Sequence, residues 1–251
     1  MIDLASIDWT SIAVVFITAV LLIVLTFWKR RSPYQLRNIS ALASLYRAMG
    51  LSVEDGTRLH ISLGFGSLLT PRSGSALAAL AMLRHLAEQT SSSDRPPVAS
   101  TGDPTLSLLA QDTLQAGYTA SGAEELFVPT SGRLTGMTPF GYAAGAMPII
   151  RDEKVSANIL MGHFGPESAL LADAAEQANV ITIGASDDLT AQSILFAGSQ
   201  DALIGEELFA SGAYLGAGAS HIASLTIQDI LRWVIMVTLF FGAVMKFMGL
   251  I

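Results

Sequence analysis

The sequence predicts an α/β domain with a mostly parallel sheet and flanking helices, bracketed by N- and C-terminal transmembrane helices. Three observations carry this prediction. Both ends of the 251-residue chain are long apolar runs. Between them, short β-type runs alternate with helical runs, the pattern of strands joined by crossover helices. Several of the helical runs open on a residue followed by proline, which is pre-organised for the first helical position.

The first apolar run, Ser11 to Trp28, is uncharged and flanked by Trp9 and Trp28. A membrane span needs ~20 apolar residues, and tryptophan prefers the interface. A signal peptide carries positive charge before its apolar core. Here Asp3 and Asp8 precede the run, and Lys29, Arg30 and Arg31 follow it, so a retained anchor is expected over residues 1–32. Positive charge stays inside, which directs the following domain, 33–225, into the cytoplasm beneath the cell (inner) membrane. The run Ile230 to Ile251 is a second expected span, within 226–251. Its charges, Arg232 and Lys246, lie near the ends, where long side chains reach the headgroups. A buried or interfacial apolar helix is the competing reading. Gly242 and Ala243 would permit close helix contact.

Hydrophobic residues make up 51% of the chain and charged residues 14%, as two apolar ends require. No cysteine is present, which excludes disulfides, thiolate metal sites and cysteine nucleophiles. Residues 34–225 hold nine Lys or Arg against eighteen Asp or Glu. That acidic balance argues against nucleic acid as a partner, since its binding needs basic patches.

Within the domain, apolar positions at Leu36, Ile39, Leu42, Tyr46 and Met49, ending at Gly50, predict an amphipathic helix over 34–50. Strands are expected at Leu59–Leu63, Val98–Ser100, Val155–Met161, Val180–Ile183 and Ile194–Ala197. Helices are expected at 71–90, 104–117, 139–147, 166–178 and 203–215. The proline-marked starts are Thr70-Pro71, Asp103-Pro104, Thr138-Pro139 and Gly165-Pro166. The alternation is Rossmann-like. TSSSDRPP, Thr90 to Pro97, reads as an exposed loop, and residues 118–138 show no clear period.

In an open parallel sheet, ligands bind beyond the carboxyl ends of the strands. The loops expected there contain Gly64, Gly66 and Ser67; Thr101 and Asp103; His163 within Gly162-His163-Phe164-Gly165; Asp187 and Asp188; and Gly198-Ser199-Gln200-Asp201. Of these, Gly64, Gly66, Ser67, Thr101, Asp103, His163, Asp187 and Asp188 are the ligand-binding candidates. Gly-rich loops before helices suit phosphate, yet the same residues serve ordinary turn geometry and capping. No GxxxxGK[ST] or GxSxG pattern is present, and Gly64-x-Gly66 is only a fragment of a dinucleotide fingerprint. His163 closes an apolar strand between two glycines, where it is either a base or ligand, or a structural histidine. His60, His85 and His221 are scattered without metal spacing. Asp187 and Asp188 with Asp103 suit a hard cation, but helix capping is the simpler role. Arg72 is either an anion contact or a surface charge.

The segments ISALASLYRAMGLSVEDGTRLHISLG (Ile39–Gly64), STGDPTLSLLAQDTL (Ser100–Leu114) and GEELFASGAYLG (Gly205–Gly216) resemble an uncharacterised family of bacterial and archaeal membrane proteins built on a domain of unknown function. The resemblance covers most of the chain. It implies a membrane-tethered α/β domain and brings no activity or catalytic residues.

The sequence therefore leads first to a non-enzymatic, membrane-anchored assembly module. Its expected partners are the lipid bilayer and further copies of the chain or other membrane-complex subunits. No cofactor, metal or catalytic set is assigned. The alternatives are a small-molecule or nucleotide-binding sensor at the strand ends, and a membrane-tethered hydrolase.

Overall fold

The computed structural model describes residues 9–29, 36–69, 73–216 and 219–249. The chain divides into two compact units, one over Arg37–Leu215 and one from Met1–Leu36 together with Gly216–Ile251.

The first unit is an α/β domain. In chain order it contains α2 (Ser40–Glu54), β1 (Arg58–Gly64), α3 (Ser73–Thr90), β2 (Val98–Thr101), α4 (Pro104–Ala120), β3 (Gly132–Leu134), α5 (Pro139–Asp152), β4 (Val155–His163), α6 (Ser168–Gln177), β5 (Ile181–Ser186), α7 (Leu189–Gly198), β6 (Asp201–Leu203) and α8 (Glu207–Tyr214). The six strands form one sheet in the order β3-β2-β1-β4-β5-β6, and every pair is parallel. From the central pair β1 and β4 the chain winds outward in opposite directions, so the switch point of this doubly wound sheet lies between them.

Alternation along β1 sorts two cores. Leu59, Ile61 and Leu63 face one side with Ala99, Ile159 and Ile183, and pack on α2, α3, α4 and α8 through Leu45, Leu83, Leu86, Leu106, Leu114 and Leu208. The other side packs Leu160 and Phe164 against Tyr142, Ala143 and Ala146 of α5, Leu171 of α6 and Leu195 of α7. The alanines allow helices to lie close on the sheet. Helix starts follow their caps: the Asp103 carboxylate accepts from Leu106 N–H, and the Thr138 hydroxyl accepts from Gly141 N–H. The Gly165-Pro166 pair sits one turn before α6, which begins at Ser168 with Glu167 at its cap position. Thr70-Pro71 and Arg72 lie outside the described residues.

One expected strand is overturned. Ile194–Ala197 lies inside α7, whose cap Asp188 accepts from Thr190 and Ala191 N–H. A four-residue apolar run carries no period that separates strand from helix, and the cap decides it. Gly198-Ser199-Gln200-Asp201 therefore leads into β6, which begins at Asp201, at the amino edge of the sheet, not at the carboxyl edge. Strands β3 and β6, three residues each, carry too little pattern to stand out in the sequence.

In the second unit, α1 (Trp9–Lys29) and α9 (Ala219–Phe247) pack against each other. Ser220–Phe247, 28 residues with an 18-residue stretch of mean hydropathy 1.8, is long and apolar enough to cross a membrane. At 1.5 Å per residue it extends ~42 Å, more than a hydrocarbon core of ~30 Å. The expected N-terminal span does not meet the same measure. Its apolar stretch among the described residues, Ile12–Trp28, is shorter, and at 1.5 Å per residue reaches only ~26 Å.

Candidate functional site

The β1 and β4 ends are held together by backbone rather than by side chains. Gly64 closes β1 with φ +74°, a conformation that L-residues avoid. A Cβ there would stand 2.1 Å from the His163 carbonyl oxygen, and a Cβ on Gly66 would stand 2.6 Å from His163 Cβ. Both glycines are needed because the loop after β1 lies directly on the end of β4. Phe65 N–H donates to the His163 carbonyl at 3.2 Å, and the Phe65 ring meets the imidazole edge-on with centroids 5.3 Å apart. The neighbouring β2 end joins through Gly102 N–H and the Thr101 hydroxyl, both donating to the Gly64 carbonyl. The Ser67 hydroxyl accepts from Leu69 N–H in the same loop.

Beside this junction, His163 Nδ1 lies 2.7 Å from Asp187 Oδ1, with both side chains largely buried at 13% and 14% exposure. The carboxylate accepts from Nδ1–H, and in the neutral imidazole this tautomer leaves the lone pair on Nε2. Nε2 makes no hydrogen bond with the described residues and is not among the buried polar atoms lacking a partner, so it opens to the surface. The sequence marks these two residues separately; the adjacency of β4 and β5 brings them together.

The remaining candidates are committed to local structure. Asp103 caps α4, and its N–H donates to the Thr101 hydroxyl. Asp188 caps α7. Asp103 follows β2 while Asp187 and Asp188 follow β5, three inter-strand spacings or ~14 Å away, so these carboxylates cannot share one ion. Among the described residues, no group of three or more His, Asp or Glu is placed to hold a metal.

Beneath the junction lies a polar layer that the sequence reading did not single out. On the α5 side of the sheet, His60 Nδ1 donates to Asn158 Oδ1 at 2.8 Å, and His60 Nε2 accepts from the Ser100 hydroxyl at 2.8 Å. Ser62 and Ser100 both meet the Tyr142 hydroxyl. All five residues are buried. Burial pushes the His60 imidazole down to about 4, against the opposing hydrogen bond of Asn158, so it is neutral. Burial pushes the Tyr142 phenol up to about 12, although hydrogen bonds from Ser100 and Ser62 pull the other way. Glu167 is also buried: one oxygen accepts from Gly165 N–H at 2.7 Å and the other has no hydrogen-bond partner. The signal in the sequence is the alternation Leu59-His60-Ile61-Ser62-Leu63. A strand covered on both faces ordinarily reads as a continuous apolar run.

Charge in the described loops at this edge is one-sided, and Arg37 reaches the edge through its pair with Glu207. The loops that follow the strands carry Asp103, Glu167, Asp187, Asp188 and Glu206, and among the described residues no Lys or Arg. The first amides of α4 and α7, which would otherwise suit a phosphate, already serve Asp103 and Asp188.

No curated protein and no solved structure matches the chain. The family described as "Domain of unknown function (DUF6754)" matches residues 3–251. With that match spanning nearly all of its length, the chain belongs to the DUF6754 family.

Proposed function

We propose that the protein is a membrane-attached module that binds a small polar, neutral or cationic molecule at the β1/β4 switch point. The observation that carries the reading is the His163–Asp187 pair, which offers one oriented ring nitrogen at the place where doubly wound sheets bind ligands. The acidic edge and the self-capped helix starts argue against a nucleotide or other anion. A serine-type hydrolase is less supported, because no described hydroxyl hydrogen-bonds His163 Nε2 as its nucleophile would. In this reading α9 is the membrane attachment, α1 accompanies it, and the α/β unit lies on the cytoplasmic side.

Ligand binding to the folded state raises its stability by mass action. At a hundredfold excess over Kd the gain is ~2.7 kcal/mol, which for a unit of this size is roughly 5–10 °C in melting temperature. A screen of amines, polyols and amides against the detergent-solubilised protein is expected to give such a shift, lost in His163→Ala and in Asp187→Ala. A shift retained in both variants, or none from any of these classes, would remove the proposal.

An assembly module is the second reading. It is favoured by an apolar groove in the helical unit, lined by Phe16, Val20, Val24 and Trp28 of α1 and Ile230 of α9, where a helix of another subunit would fit. Native mass in mild detergent decides it: a discrete oligomer or co-purifying subunits supports assembly, and a clean monomer rejects it.

A further inference from the structure

The two edges of the sheet differ in what they expose. At the carboxyl edge, large apolar side chains stand in solvent in the loops or first helical turns that follow four of the strands: Leu69 after β1 (86% exposed), Met137 (73%) and Phe140 (61%) after β3, Leu189 after β5 (78%) and Ile204 after β6. All strands are parallel, so these residues line one rim. The amino edge mixes its exposed Leu126, Val128 and Ile181 with exposed Asp55, Asp94, Glu124, Glu125 and Lys154. Single exposed apolar residues are ordinary, whereas a row of them along one rim marks a contact surface.

We propose that this carboxyl rim rests on the lipid bilayer, with the side chains of Leu69, Met137, Phe140 and Leu189 entering the interfacial region. Two features of the chain name the bilayer as the occupant. The chain enters the α/β unit at Arg37, which pairs with Glu207, the residue that opens α8 directly after β6; the connection from the N-terminal segment therefore meets the unit at its carboxyl edge. At the other end, only four residues, 216–219, lie between Leu215 and Ser220, where the long apolar span of α9 begins. The five Cα-to-Cα steps from Leu215 to Ser220 extend at most ~18 Å, so the unit is tethered near the surface that this helix would enter. Four of the five carboxylates in these loops do not oppose the contact, because Asp103 and Asp188 fold back as caps, Asp187 turns to His163 and Glu167 is buried; Glu206, after β6, is exposed and lies outside the four inserting positions. With no described Lys or Arg in these loops, the rim suits zwitterionic headgroups by apolar insertion rather than by charge. The ligand site beside His163 would then take molecules from the membrane interface. The inference rests on the membrane attachment proposed above and not on the identity of the ligand.

The absence of cysteine makes the test direct. Single variants Leu69→Cys, Met137→Cys and Leu189→Cys, with Asp94→Cys at the amino edge and Phe240→Cys in α9, are spin-labelled in the full chain and reconstituted into phosphatidylcholine vesicles. Collision with oxygen, which concentrates in lipid, is compared with collision with a water-soluble nickel chelate. The expected result is a lipid-type ratio at Phe240, a several-fold higher oxygen-to-chelate ratio at the three rim sites than at Asp94, and a water-type ratio at Asp94. Rim labels that read like Asp94 while Phe240 reads lipid would overturn the rim contact and leave membrane attachment standing. Rim labels shielded from both reagents and broadened by a neighbouring label would assign the rim to a second copy and overturn it equally. A water-type ratio at Phe240 would end the membrane attachment itself and this inference with it.

Discussion

The buried histidine of β1 makes the α/β unit acid-sensitive in a way that can be calculated. His60 is fully buried and neutral, with its imidazole pushed from 6.5 down to about 4 by burial. As pH falls through 6.5 the unfolded chain takes up a proton at this position, while the folded protein takes one up only near 4. Between those values the unfolded state binds more protons, so stability falls as pH falls. Integrating over the window gives a loss of about 2 kcal/mol at pH 5 and about 3 kcal/mol at pH 4, relative to neutral pH. His60→Gln keeps a side chain able to donate and accept but removes the titration. It is expected to be less stable than the parent at pH 7, and to lose about 2 kcal/mol less on going to pH 5. The assay is urea unfolding in detergent at pH 7, 6 and 5, followed by near-ultraviolet tyrosine circular dichroism. That signal reports chiefly the α/β unit, because four of the five tyrosines, Tyr46, Tyr118, Tyr142 and Tyr214, lie within residues 37–215. Burial raises the Glu153 carboxyl, but its pairing with Arg133 and Arg58 outweighs this and holds it below the ordinary value. Its contribution is also lost as pH falls; both proteins carry it, so the difference between them isolates His60. Equal pH slopes for parent and variant would refute the assignment of a buried neutral imidazole.

Gly64→Ala places a methyl group against the His163 carbonyl in a left-handed conformation, and is expected to cost about 2 kcal/mol or more. Gly56→Ala has the same backbone strain but only ordinary contact with Asp94 at 3.5 Å, and should cost about 1 kcal/mol. Equal losses in chemical denaturation would show that the approach of β1 to β4 is slack. Tyr142→Phe removes the hydroxyl shared by Ser62 and Ser100, leaving buried groups short of a partner at about 1–3 kcal/mol. An unchanged denaturation midpoint would mean that the polar layer adds nothing to stability.

Local chemistry made much of this fold legible. Proline after Asp103 and Thr138 marked helix starts, because capping and the fixed proline φ act within a few residues. The runs at Leu59, Val98, Val155 and Val180 read as strands because each is short, β-branched or apolar, and bounded by turn residues. The run at Ile194 failed for want of a period, and β3 and β6 are too short to have one. Composition alone set the acidic charge of the domain and the apolar character of the C-terminal helix. The tertiary structure decided the rest. Strand order is set by which edges pair after crossover, and no local period records it; that order makes β1 and β4 the switch point. It also brings Asp187 onto His163 across 24 positions of sequence and separates Asp103 from both, which ends any shared metal site. The partners of His60 come from β2 and β4, and Tyr142 reaches the same layer from α5 through Ser62 and Ser100, so that layer exists only once the sheet is assembled. The rim of exposed apolar side chains has the same origin: Leu69, Met137 and Leu189 are unremarkable singly, and parallel pairing of the strands places them on one edge.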